Sequence, residues 1–192
     1  MAGSRDHQVT RLLDAVGGGS HDAASELMVL VYEELRGVAA HRLARQGREG
    51  TLQPTALVHE VWLRLMGERS PQWENRRHFF SAAARAMRDI LVERARAATA
   101  AKRGGGRARV RLDDNELASP DHPEQLLALD EALEKLEQAS GEAAQVVMLR
   151  FFAGLTVNET AAALQVSPSS VDRHWAWAKA WLHREVSEAS GG

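Results

Sequence analysis

Six side chains in one short stretch have the chemistry to read DNA: Ser167, Ser169, Ser170, Arg173, His174 and Lys179. Hydroxyls and basic groups set along one side of a helix can reach phosphates and the edges of bases in the major groove. That work needs a helix whose first turns carry them, and the surrounding residues specify one. Ser167 is a good N-cap, and Pro168 falls at N1, where its missing N–H costs nothing. Val171, Trp175, Ala178 and Leu182 recur at i, i+4, i+7 and i+11, the buried stripe of a helix some four turns long. Ahead of it, Thr156 with Glu159 three residues on forms a capping box for a short helix from about Val157 to Leu164. Val157, Ala161 and Leu164 lie on one face of that helix. Two helices joined by about three residues fit a helix-turn-helix, whose second helix enters the major groove. The competing reading is an αα-hairpin that packs protein against protein. Two residues run against the DNA-binding pattern. Gln165 sits at a turn position where a left-handed backbone costs a residue with a Cβ roughly 1 kcal/mol, and Asp172 places a negative charge on the second helix.

A second concentration of charge lies far upstream. Between residues 76 and 111 there are eleven Lys and Arg against Asp89 and Glu93, a net of 11 − 2 = +9. The whole chain is −2, so the remainder carries −2 − 9 = −11. A block this basic in a near-neutral protein is the electrostatic footprint of a polyanion partner; the alternative is a solvated helix face, where charge is usually balanced.

The 192 residues are enough for one domain or two small ones, and 44% hydrophobic content permits a real core. Aromatics are 5%, alanine is abundant and alternating β-branched runs are few, which points to an all-α fold. Cysteine is absent, which removes disulfides, thiolate zinc sites and cysteine nucleophiles and suits a reducing cytoplasm. No stretch approaches the ~20 apolar residues of a membrane span, and the N-terminus lacks the apolar core of a signal peptide.

The helical periods predict a short amphipathic helix over Val9–Val16, stopped by Gly17-Gly18-Gly19, then a longer one capped at Ser20 or Asp22 and running to about Gln46. Thr55–Met66 (TALVHEVWLRLM) is a nearly two-sided apolar helix with Leu57, Val61 and Leu65 inward. Trp62 among charges reads there as an exposed interface anchor. His59-Glu60 is not a zinc-protease motif, because the second histidine that motif needs is Leu63 here. After a loop from Gly67 to Asn75, a long helix from Arg77 to about Lys102 buries Phe79, Ala83, Ala86, Ile90 and Ala97. The glycines of KRGGGRARV lack the spacing of a phosphate-binding loop; with Pro120 they mark a boundary. The linker acids Asp113, Asp114 and Glu116 are candidates to shield the basic helix. An acidic helix through Leu126, Leu129, Leu133 and Leu136 follows, then one over Glu142–Phe152 broken at Ala153-Gly154, and a frayed tail from Ser187.

Taken together, these segments resemble bacterial RNA polymerase sigma factors of the extracytoplasmic-function (ECF) type, and the resemblance covers about residues 5 to 186. FAGLTVNETAAALQVSPSSVDRHWAWAKAWL looks like region 4, which reads the −35 element. TALVHEVWLRLM looks like region 2.2, which docks on polymerase, and AMRDILVERARAATAAKR looks like regions 2.3 and 2.4, which open and read the −10 element. The resemblance implies two small helical domains, 5–103 and 121–187, joined by a flexible linker over 104–120. Leu57, His59, Glu60, Trp62, Arg64 and Leu65 would face polymerase, and Arg85, Arg88, Asp89, Glu93 and Arg96 would lie near the −10 strand. Ser167, Ser169, Ser170, Arg173, His174 and Lys179 would serve the −35 element. Ala56, Asp89, Gln165 and Asp172 depart from common family residues, so the promoter sequence is not legible. The implied protein is a cytoplasmic sigma factor and not an enzyme, with no catalytic residues, metal or cofactor. Its partners would be core RNA polymerase and promoter DNA, with an anti-sigma factor or other regulator as a further candidate. A stand-alone helix-turn-helix regulator with an N-terminal dimerisation or sensing domain is the rival reading, and a helical scaffold would leave the +9 segment unexplained.

Overall fold

The computed structural model describes residues 2–20, 22–30, 54–66, 76–101 and 123–191. The regular elements among them are helical: α1 (Ala2–Gly17), α2 (22–30), α3 (Pro54–Met66), α4 (Arg76–Ala101), α5 (Pro123–Ala139), α6 (Gly141–Val147), a π-helical turn (Met148–Phe152), α7 (Val157–Leu164) and α8 (Pro168–Gly191). The all-α expectation therefore holds. The predicted helix beyond residue 30, the loop with Trp73, and the linker with Asp113, Asp114 and Glu116 lie outside the described residues.

Local chemistry accounts for most boundaries. α1 ends in its glycines, with Gly19 at φ 86°, and the Ser20 hydroxyl then accepts from the Ala23 N–H at 3.2 Å to start α2. Pro123 opens α5, and the Ser140 side chain caps α6 by accepting from the Ala143 N–H. Three expectations are corrected. α1 starts well before Val9, at Ala2. Ala97 is exposed, because the buried side of α4 passes through Ala95 instead. Where a frayed tail was expected from Ser187, α8 continues in helical form to Gly191, with Val186 buried at 1% exposure just before it.

The predicted helix over Glu142–Phe152 is one in outline but widens to π geometry in its last five residues. The Ala153 N–H bonds the Met148 carbonyl at 3.2 Å, the Leu155 N–H bonds that of Leu149 at 3.0 Å, and Gly154 follows at φ 63°. The extra residue per turn lets adjacent Phe151 and Phe152 both turn inward, edge to face at 4.8 Å between ring centres.

One apolar cluster runs through nearly all of these elements. α4 lies at its centre: it packs on α3 and α1, and also on α5 and the π turn. Phe79, Phe80, Met87 and Ile90 of α4 have no exposed surface, nor have Leu129, Leu133 and Leu136 of α5. A second, small cluster of Val146, Ala161 and Val171 joins α6, α7 and α8, with Val157, Leu164 and Trp175 against it.

Candidate nucleic-acid interface

α7 and α8 form the expected helix-turn-helix. Thr156 Oγ1 accepts from the Glu159 N–H at 3.3 Å, and the Glu159 carboxylate accepts from the Thr156 N–H at 2.8 Å, so the capping box is complete. Gln165 takes the left-handed conformation, φ 58° and ψ 41°. In return its N–H bonds the Ala162 carbonyl at 3.4 Å and the Val166 N–H bonds that of Ala161 at 3.0 Å, the Schellman pattern that satisfies the last carbonyls of α7. Ser167 then starts α8, its hydroxyl accepting from the Ser170 N–H at 3.2 Å and lying 2.9 Å from those of Ser169 and Ser170.

Burial of Val171, Ala178 and Leu182 sets the rotation of α8. Ser167, Ser169, Asp172 and Arg173 consequently face solvent, and Ser170 is half-buried. Among the described residues the guanidinium of Arg173 makes one long hydrogen-bond contact, 3.5 Å to the Ser170 hydroxyl, and the side chain is exposed on the first turns. His174 and Lys179 lie on the flanks, half-buried, and His174 Nε2 is 3.5 Å from Glu142 of α6. Sequence reasoning missed two features of this face. Trp177, 45% exposed, stacks on Trp181 with 6.4 Å between ring centres; the i, i+4 spacing of the two tryptophans is the signal that could have found it. Arg150, from the π turn, lies over the Trp175 ring at 4.4 Å. Burial pulls its pKa below the ordinary arginine value, and the charge of Asp172 opposes that shift.

Of the five upstream residues expected near DNA, Arg88, Asp89, Glu93 and Arg96 line one cleft with Asp130 and Glu134, and Arg85 lines another with Arg88 and Asp89. Glu93 turns to α3, where its carboxylate accepts both guanidinium nitrogens of Arg64, at 3.3 and 2.5 Å. That hydrogen bonding holds Glu93 below, and Arg64 above, their usual pKa values. A reciprocal pair, Arg94 to Glu60 at 2.8 Å, joins the same helices. Arg88 turns the other way and is mostly buried at 15% side-chain exposure. Its Nε donates to Asp130 Oδ1 of α5 at 2.6 Å, with Glu134 and Glu137 at 3.5 and 3.7 Å. Arg96, still 66% exposed, reaches Asp130 Oδ2 at 3.6 Å. Arg85 and Asp89 are exposed and line a cleft of about 490 Å³ with Arg88, opposite Glu137, Gln145 and Met148. Asp130, 6% exposed, was not singled out in the sequence. Its signal is the run Asp130, Glu134, Glu137 at i, i+4 and i+7, one acidic face on an otherwise leucine-lined helix.

On α3, Leu57 is buried at 1% exposure and contributes to a surface only by shaping it. Trp62 is not the exposed anchor expected: it is half-buried and packs on the main core, as does Leu65. His59 is exposed, Glu60 and Arg64 are tied to α4, and the large apolar side chain open to solvent is Leu63, at 58%. Among the described residues, no group of three His, Asp or Glu side chains is placed to hold a metal ion, and no helix is long and apolar enough to cross a membrane.

A family model described as ECF sigma factor matches residues 6–188. Comparison with curated proteins and with solved structures gives no match.

Proposed function

The chain belongs to the ECF sigma factor family, the promoter-specificity factors of RNA polymerase, and from that premise we propose how its surfaces divide the task. α8 reads the −35 element through Ser169, Ser170 and Arg173, with the Ser167 cap and flanking His174 and Lys179 at the phosphates. α4 captures the −10 strand through Arg85, Arg88 and Arg96, with Asp89 among them. α3 docks on core polymerase in the cytoplasm through His59, Glu60, Arg64 and exposed Leu63, backed by Trp62, Leu65 and buried Leu57.

The observation that carries this reading is the open N-terminal face of α8. A serine-rich first turn and a displayed arginine stand on a helix whose rotation is fixed by three fully buried side chains. Phosphate contacts would set register, and Arg173 in the groove would supply discrimination. No bond is made or broken by the protein; its contribution is to hold two readers on one promoter while polymerase does the chemistry.

The test is capture of core RNA polymerase by the purified chain, followed by run-off transcription from genomic promoter fragments. Co-elution with polymerase and initiation that depends on both components support the reading. A chain that ignores polymerase but footprints a palindrome as a dimer would overturn it in favour of a stand-alone regulator.

A further inference from the structure

We propose that Trp177 is a base-reading residue of α8: its indole packs on the C5-methyl group of a thymine in the duplex that Arg173 enters. This rests on the reading of α8 as the −35 reader and adds a specificity-determining residue to that site.

Three tryptophans stand on α8, and the core takes up two of them. Trp175 and Trp181 are half-buried and pack on the apolar clusters, whereas Trp177 is 45% exposed. The Trp177 ring leans on Trp181, with 6.4 Å between centres and 30° between planes, and the rest of the indole meets solvent. That backing limits the rotamer freedom the side chain would lose on binding. Its place on the helix ties it to the reading face. At about 100° per residue, Trp177 lies one turn beyond Arg173 and about 40° further round, and Arg184 follows two turns later on the same side. Exposed Ala176 and Ala180 lie beside these residues and let a duplex come close to the helix. Arg184 is 62% exposed, and its Nε comes no nearer than 3.9 Å to the exposed carboxylate of Glu188. Two open arginines bracketing one ring suit a duplex: the cations can hold phosphates while the ring meets an apolar group in the groove. In the major groove that group is the C5-methyl of thymine. Among the described residues, the other exposed large apolar side chain of the helix-turn-helix is Val166, in the turn. It lies about three helical turns away, so the ring is not part of a broad apolar patch of the kind a protein partner covers.

The spacing also says where the thymine should be. Trp177 follows Arg173 by about 6 Å along the axis at 1.5 Å per residue, and stacked base pairs are about 3.4 Å apart. The thymine therefore falls within two base pairs of the base that Arg173 contacts. The contact makes no hydrogen bond, so deoxyuridine in place of thymidine removes it and leaves base pairing and the polar groove edge intact. Losing one buried methyl corresponds to about 4-fold in affinity.

The experiment uses the full chain and a pool of fluorescein-labelled duplexes with a randomised central segment, enriched by gel-shift selection. Selection with Arg173→Ala marks the base that Arg173 reads, as the position where preference relaxes. The winning duplex is then remade with each thymidine in turn replaced by deoxyuridine, and binding is followed by anisotropy. With the wild-type chain, one replacement within two base pairs of the Arg173 base should cost about 4-fold. With Trp177→Ala the same replacement should cost nothing, while preferences at the other positions stay as in the wild type. Trp177→Phe, which keeps a ring against Trp181, should retain about half of the penalty on a logarithmic scale, roughly 2-fold. Trp177→Lys repeats the cycle with a side chain of similar length, so the test survives a folding loss in the alanine variant. Each penalty is a ratio within one protein, so a uniform change in affinity cancels. Equal penalties with and without the indole would overturn the proposal, as would a Trp177→Ala loss shared by every duplex or a winning duplex with no thymine in that window. The two levels separate cleanly. If Arg173→Ala relaxes a base preference and the deoxyuridine penalty ignores residue 177, the Trp177 assignment alone fails. If the wild-type chain enriches no sequence, α8 is not a base reader and both readings fail.

Discussion

Helices α8 and α4 are both proposed to touch DNA and are treated in opposite ways by the fold, although only α4 carries net positive charge: α8 has Arg173, Lys179 and Arg184 against Asp172, Glu185 and Glu188. α8 buries its apolar stripe and leaves the other side open: among the described residues, the polar contact of the Arg173 guanidinium is a hydroxyl 3.5 Å away. α4 is wrapped. It is buried on more than one side, its Glu93 and Arg94 are tied to α3, and its Arg88 is inserted among three carboxylates of α5. A surface arginine and a buried one have the same formal charge but different availability, because an ion pair withdrawn from water resists a competitor that a solvated side chain admits freely. An arginine count on a helix therefore measures attraction to a polyanion only after its partners are known.

The harshest way to break the comparison is through the π turn, which contacts α4 and leads into the helix-turn-helix. Phe152 has no exposed surface, and Phe152→Ala is expected to cost about 3–5 kcal/mol in urea unfolding. A much smaller loss would mean that the two regions fold without the contact. Arg173→Ala should weaken −35 duplex binding by roughly 1–3 kcal/mol, whereas Arg88→Ala should leave duplex binding by α8 unchanged; an unaltered footprint for Arg173→Ala would remove α8 from the interface. Thr156→Ala deletes the side-chain half of the capping box and should cost about 0.5–2 kcal/mol, with hydrogen exchange rising in α7 ahead of α4. Gln165→Gly relieves the left-handed strain but frees the unfolded chain, so a stabilisation below about 1 kcal/mol is expected in the same unfolding assay. Destabilisation there would mean that the Gln165 side chain makes a contribution of its own.

The smallest effect belongs to the Arg64–Glu93 clamp. The Glu93 carboxyl is held below its usual range by the hydrogen bonds from Arg64. Its contribution is thus complete above the ordinary glutamate pKa near ~4.3 and disappears as pH falls through the depressed folded value. Both partners are open to solvent, so Glu93→Gln should leave the unfolding midpoint unchanged. The carboxyl resonance of Glu93, followed by NMR, should titrate below that of an exposed glutamate and return to normal in Arg64→Gln.

Much of the helix-turn-helix was legible because its signals are local. Thr156, Glu159, Gln165, Ser167 and Pro168 act within one or two turns of themselves, and each is found where its capping or turn chemistry places it. The displayed side of α8 followed from the period of Val171, Ala178 and Leu182. The α4 surface was less legible. Ala97 was expected inside and lies outside, Trp62 was expected outside and is half-buried, and Arg88, expected near the −10 strand, is mostly buried against α5. Helical period predicts one buried stripe, and α4 has neighbours on several sides.

From sequence alone come the all-α class, most helix boundaries, the capped turn between α7 and α8, and the excess of basic charge on α4, because propensity, capping and composition act between residues close in the chain. Which arginines remain available, which carboxylates meet them, and how Phe151 and Phe152 can both turn inward were decided by tertiary packing. Arg88 and Asp130 are 42 positions apart, and nothing in the local chemistry of either names the other; only the closure of α4 on α5 brings them to 2.6 Å.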